Sequence, residues 1–108
     1  MTTFDKRKDA FENKFAHDAE LQFKADARRN KLLGLWAAAL LGKSGGEAEE
    51  YAKSIVAADF EEAGHEDVFR KVRADFDAAG IDQSDHQIRR TMDELMQKAI
   101  EQIRTETT

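Results

Sequence analysis

The 108-residue chain is 41% apolar and 36% charged, which sets the scale of one helical domain with a single modest core and an ion-rich surface. It has no cysteine, which excludes a disulfide framework and any thiolate metal site; with no proline and only six glycines it has few residues that break a helix. The net charge of −5 divides unevenly: residues 1–31 hold eight Lys/Arg against six Asp/Glu, whereas residues 32–108 hold nine against sixteen, and so acidic a body disfavours nucleic acid as a partner.

The first predicted helix opens at Thr2 or Thr3, either of which can cap it, with Asp5 in the first turn where the helix dipole favours a negative charge. Its pattern continues to Leu41, and Gly42 supplies a left-handed C-terminal position. At about 100° per residue, Phe4, Phe11 and Phe15 share one face, and Leu33, Trp36 and Leu40 fall near the same line. The segment Lys24 to Lys31 between them has no large apolar side chain. A continuous helix over residues 4–41 would span roughly 57 Å, about twice what the other predicted helices can cover. The N-terminal half therefore either protrudes or breaks and folds back, and the apolar-poor stretch from Phe23 to Lys31 is the expected break. A protruding segment of this length sits at the margin of helix stability and is expected to fray until a partner covers its phenylalanines.

Ser44 and Glu47 have the spacing of a capping box, so a second helix is expected from about Gly45 to Gly64. Its apolar arc includes Ala48, Tyr51, Ala52, Ile55, Val56 and Phe60, which predicts deep packing. A third helix is expected from Glu66 to Ala79, with Val68, Phe69, Val72 and Phe76 inward, stopped by Gly80, with Ile81 packing back on its last turn. Ser84 and Gln87 form a second capping box, opening a fourth helix whose inward face carries Ile88, Met92, Leu95, Met96, Ala99, Ile100 and Ile103. The architecture expected is all-α: a four-helix bundle over residues 20–108 with a mobile N-terminal helical arm over residues 1–19. No run approaches the roughly 18 apolar residues of a membrane span, and the start lacks a signal peptide's apolar segment, so a cytoplasmic chain without membrane insertion is expected.

Few motifs carry chemistry. Gly42-Lys43-Ser44 imitates the end of a phosphate loop, but Ala37 stands where the first glycine is required and a helix precedes it; weak nucleotide binding at the following helix start is the most this supports. Glu62 and His65 have a metal-ligand spacing without a second copy. No nucleophile has a base at a usable spacing, so a non-enzymatic protein with no cofactor and no metal is expected. His17 changes charge near neutral pH and is placed to make an arm contact pH-sensitive. Arg28, Arg29, Asn30 and Lys31 read as a solvated segment or a hinge beside the arm.

Taken together, Phe4-Asp5, Phe11-Glu12, the stretch Lys14 to Asp18 (KFAHD), Phe23-Lys24, the stretch Ala27 to Gly34 (ARRNKLLG), Trp36-Ala37-Ala38 and Leu41-Gly42 resemble the zeta subunit, the ATPase inhibitor of the alphaproteobacterial F-type ATP synthase. Asp59-Phe60 and Glu66 to Lys71 (EDVFRK) extend the resemblance. It departs from the family pattern at Lys8 and Asp9, where the acidic and basic residues usually stand the other way round. The resemblance implies an inhibitor of ATP hydrolysis by F1, with an N-terminal segment that inserts at a catalytic interface between alpha and beta subunits and blocks rotation, gamma being a further candidate contact. Phe4, Arg7, Phe11, Lys14, Phe15 and His17 are then the expected partner-binding residues. The free chain is expected to be a monomer that associates with the membrane-bound synthase. The competing expectation is a helical adaptor of another complex.

Overall fold

A computed structural model describes residues 3–59 and 65–107, with side chains described over residues 8–59 and 65–106. The described residues form five helices and no strand: α1 Thr3–His17, α2 Ala19–Leu40, α3 Gly45–Ala58, α4 Glu66–Ala79 and α5 Asp85–Thr107. The all-α class follows the composition. The long first helix does not: it divides at Asp18, not between Phe23 and Lys31, and α2 runs unbroken through that stretch. Asp18 has an extended backbone, φ −110° and ψ 103°, and its Oδ1 accepts from the amides of Glu20 at 2.9 Å and Leu21 at 3.2 Å. Two of the orphan donors that open α2 are thereby satisfied, which makes the division at this residue stable.

Each helix end has a local cause. After α2, Gly42 adopts φ 78°, and the amides of Gly42 and Lys43 donate back to the carbonyls of Ala39 at 3.2 Å and Ala38 at 2.8 Å. The same pair of bonds closes α4, where Gly80 adopts φ 69° and the amide of Ile81 reaches the carbonyl of Phe76 at 2.8 Å, bringing Ile81 onto the core. The box expected before α5 is reciprocal: the Ser84 amide donates to Gln87 Oε1 at 2.8 Å and the Gln87 amide to Ser84 Oγ at 3.1 Å. The box expected before α3 does not form, since the Ser44 side chain makes no cap bond and Gly45, at φ 54°, turns the chain between the serine and the first amides. The end expected for this helix at Gly64 lies outside the described residues.

Contacts α2–α3, α3–α4, α4–α5 and α5–α2 close a ring, and α1 lies on α2. The main core is the inside of that ring: Leu33 and Ala37 from α2, Ile55 from α3, Val68, Phe69, Val72 and Phe76 from α4, and Ile88 and Met92 from α5. Trp36 stands edge-on to Phe76, with ring centroids 5.6 Å apart. Leu40, expected on the apolar line of Leu33 and Trp36, is instead exposed. On α3 only Ala52, Ile55 and Ala58 are buried, a narrower seam than the broad arc expected, because α3 lies so close to α2 that small residues fill the contact. The long α5 continues past this core to a second cluster at its C-terminal half, and that cluster holds α1.

Candidate functional site: the capped N-terminal helix

The helix α1 is polar except for its phenylalanines, and the four-residue spacing of Phe11 and Phe15 puts both on one face. Folding back at Asp18 lays that face on the start of α2 and the end of α5. Phe11 is buried with Leu21, Ala25 and Ile103, while Phe15, Met96 and Ile100 close around it half-buried. The two rings are 6.2 Å apart at a tilt of 34°. Gln22 Nε2 donates to the carbonyls of Phe15 at 3.2 Å and Ala16 at 3.1 Å, which caps the C-terminus of α1 from the first turns of α2. Both ends that meet at Asp18 are thus satisfied by side chains, and one extended residue carries the direction change.

Of the residues expected to bind a partner, Phe11 and Phe15 come together in this cluster. Lys14 and His17 are exposed in the last turn of α1, where positive charge opposes the negative end of the helix dipole. The side chains of Phe4 and Arg7 lie outside the described residues.

A second polar constellation was hidden from pattern reasoning. Arg29 and Asn30, expected in a solvated segment, are almost fully buried, at 3% and 1% exposure. Arg29 Nε donates to Asn30 Oδ1 at 2.6 Å, and Arg29 Nη2 lies 2.8 Å from His65 Nδ1. The His65 ring stands between two carboxylates, Nδ1 3.4 Å from Asp59 Oδ1 and Nε2 3.7 Å from Asp26 Oδ1. Burial pulls the Arg29 guanidinium below its usual value, against the opposing charges of Asp59, Asp26 and Asp93. These groups fill the gap in the apolar stripe between Lys24 and Lys31, so Arg29 ties α2 to the residues that flank α3 and α4. Glu62, which shares a metal-ligand spacing with His65, lies outside the described residues. Among the described residues no group of three or more His, Asp or Glu side chains is placed to hold a metal ion.

Arg28 points the other way and clamps α2 to the end of α5. Its Nη1 and Nη2 bond Glu106 Oε1 at 2.8 Å and Oε2 at 2.9 Å, and Nη1 also reaches Gln102 Oε1 at 2.9 Å. The bonds that Arg28 donates to Glu106 raise the pKa of the guanidinium and lower that of the carboxyl.

The family model for ATPase inhibitor subunit zeta matches residues 1–102. The chain belongs to that family. Among solved structures, one determined in solution by NMR is 53% identical to this chain, covers 80% of it and 98% of its own length, and superposes with a TM-score of 0.71. No curated protein matches. The resemblance drawn from Phe4 to Lys71 is therefore borne out, and zeta membership gives the chain an ATPase-inhibitor role. An inhibitor subunit is a regulatory component, not a catalytic one. Among the described residues of this zeta-family chain, no helix is long and apolar enough to cross a membrane.

Proposed function

We propose that the chain inhibits ATP hydrolysis by F1, using α1 as a detachable arm that inserts at a catalytic interface between alpha and beta subunits and blocks rotation, with the remaining helices as the body that positions it. The observation that carries this reading is the construction of α1: a helix whose last carbonyls are capped by Gln22 of α2, joined to α2 through the single extended residue Asp18, with Phe11 as its one buried large side chain in the described part. Such a helix can leave the body without unfolding it. The apolar face that Phe11 and Phe15 show to Leu21 and Ile103 is the face an F1 interface would cover instead. Each of these rings contributes on the order of 1.5–3 kcal/mol when buried. Because α1 is already helical, less ordering entropy opposes insertion than for a disordered segment. Phe4 and Arg7 then lead the inserted end, and Lys14 and His17 complete the contact set beside the Asp18 junction.

The test is ATP hydrolysis by the matching F1 with the chain in micromolar excess. Inhibition under turnover is expected, and deletion of residues 1–19 should abolish it while the helical signal of the rest persists. No inhibition by the full chain would remove the F1 reading, and equal inhibition by the shortened chain would remove the arm from it.

A further inference from the structure

A groove of about 570 Å³ runs along the outer face of α2, between α3 and the end of α5. Its apolar surface comes from Val56 of α3, Ile103 of α5 and Phe23 of α2, whose ring is 55% exposed. Lys24 and Lys31 stand along its rim. Arg28 also lines the groove, but its guanidinium is already committed to Glu106 and Gln102. Among the described residues neither Lys24 nor Lys31 makes an ion pair.

The charge setting makes this groove unusual for the chain. Residues 32–108 carry sixteen Asp/Glu against nine Lys/Arg, yet here Lys24 and Lys31, from the basic first part of the chain, border an exposed aromatic ring; the carboxylate in the lining, Glu106, is bonded to Arg28 and its pKa is lowered further by the charge of Lys24. We propose that the groove receives an acidic amphipathic helix of F1, so that the body holds the target independently of α1; this rests on the F1 reading above. Lys24 and Lys31 are seven residues apart on one helix, or roughly 10 Å along its axis. A second helix laid lengthwise meets that spacing with carboxylates at i and i+7, and its apolar residues between them cover Phe23 and Val56. The net charge of −5 disfavours a phosphate backbone as the occupant. Ile103 is shared between the groove and the cluster that buries Phe11, so the docked helix abuts the seat of α1 and anchors the body beside the arm's hinge.

The experiment compares affinity for the matching F1 of the full chain, the charge-reversed Lys24→Glu/Lys31→Glu chain, the neutral Lys24→Gln/Lys31→Gln chain and Phe23→Ser, with helical content checked for each. Affinity should fall about tenfold or more on charge reversal at low salt, less for the neutral pair, and the difference should shrink as salt is raised. Inhibition at saturation should stay at the wild-type level, because α1 is untouched. Wild-type affinity in the folded charge-reversed chain would overturn the docking site and leave the F1 reading standing. A wild-type chain that binds no F1 would remove both. If the chain instead self-associates, and charge reversal abolishes that with F1 affinity unchanged, the occupant is a second copy and the proposal fails.

Discussion

A Cβ placed on Gly34 would stand 2.5 Å from the Cα of Ala52 and 3.0 Å from its Cβ. The backbones of α2 and α3 therefore meet at this pair, and the narrow seam of α3 follows from it. Gly34→Ala adds one methyl group and a favourable helix propensity of roughly 1 kcal/mol. The clash outweighs that gain, because the nearest atom is backbone and cannot rotate away, and overpacking of this kind costs about 1–3 kcal/mol. Urea denaturation of Gly34→Ala is expected to show a lower midpoint with little change in slope; an unchanged or raised midpoint would mean that α2 and α3 separate freely at this point.

Asp18 sets the junction through its own cap. Asp18→Ala removes the acceptor for the amides of Glu20 and Leu21, at a cost of about 0.5–2 kcal/mol. Alanine is also a good helix former, so the substitution favours one continuous helix through residue 18. That straightening would lift Phe11 from Leu21 and Ile103. The ring resonances of Phe11 and the methyl resonances of Leu21 should then move toward solvent-exposed positions. Asp18→Asn keeps the acceptor and should leave both near wild type.

How far these features are legible in the sequence depends on whether a local rule or a tertiary choice decides them. The ends at Gly42 and Gly80, the box from Ser84 to Gln87 and the inward face of α4 are local, and the residues state them directly. The pairing of Phe11 with Phe15 is likewise a matter of spacing. The break at Asp18 had a local sign, a good N-cap residue, but the apolar line continuing from Phe15 to Leu33 argued for continuity, and apolar density pointed to Lys24–Lys31. The burial of Arg29 and Asn30 had no such sign. Both residue types are ordinarily exposed, and only the arrival of Asp59 and His65 from elsewhere in the chain makes their burial tolerable.

Three carboxyls, Glu66, Glu101 and Glu106, are held below their ordinary 4.5, in each case chiefly by a hydrogen bond from an arginine: Arg89, Arg104 and Arg28 respectively. A depressed native value means that the unfolded chain binds protons more readily at these sites. Their contribution is therefore fully present above the unfolded value and is lost as pH falls through the native ones. All three are solvent-exposed, so the effect is modest and screened by salt. The melting temperature should fall as pH is lowered from about 5 toward 3, less steeply at high ionic strength and in Glu106→Gln. A flat profile over that range would show that these pairs do not outlast solvent competition.

Arg29 gives the most demanding prediction, because its charge is buried among groups that need it. Removing it as Arg29→Met keeps most of the volume and the helix propensity, so what is lost is the cation and its bonds to Asn30 and His65. Asp59 and Asp26 then flank His65 without the opposing charge of the guanidinium. Breaking a buried charge cluster from one side costs on the order of 3 kcal/mol, most of it from the partner left behind. Neutralising that partner should therefore return part of the loss. Asp59→Asn alone is expected to destabilise, whereas Arg29→Met combined with Asp59→Asn should be more stable than the two single losses sum to, with a coupling of about 0.5–3 kcal/mol in equilibrium denaturation. Strict additivity would mean that Arg29 is held by packing of its aliphatic stem, and that the charges around it contribute nothing to fixing α2 against the residues beside α3 and α4.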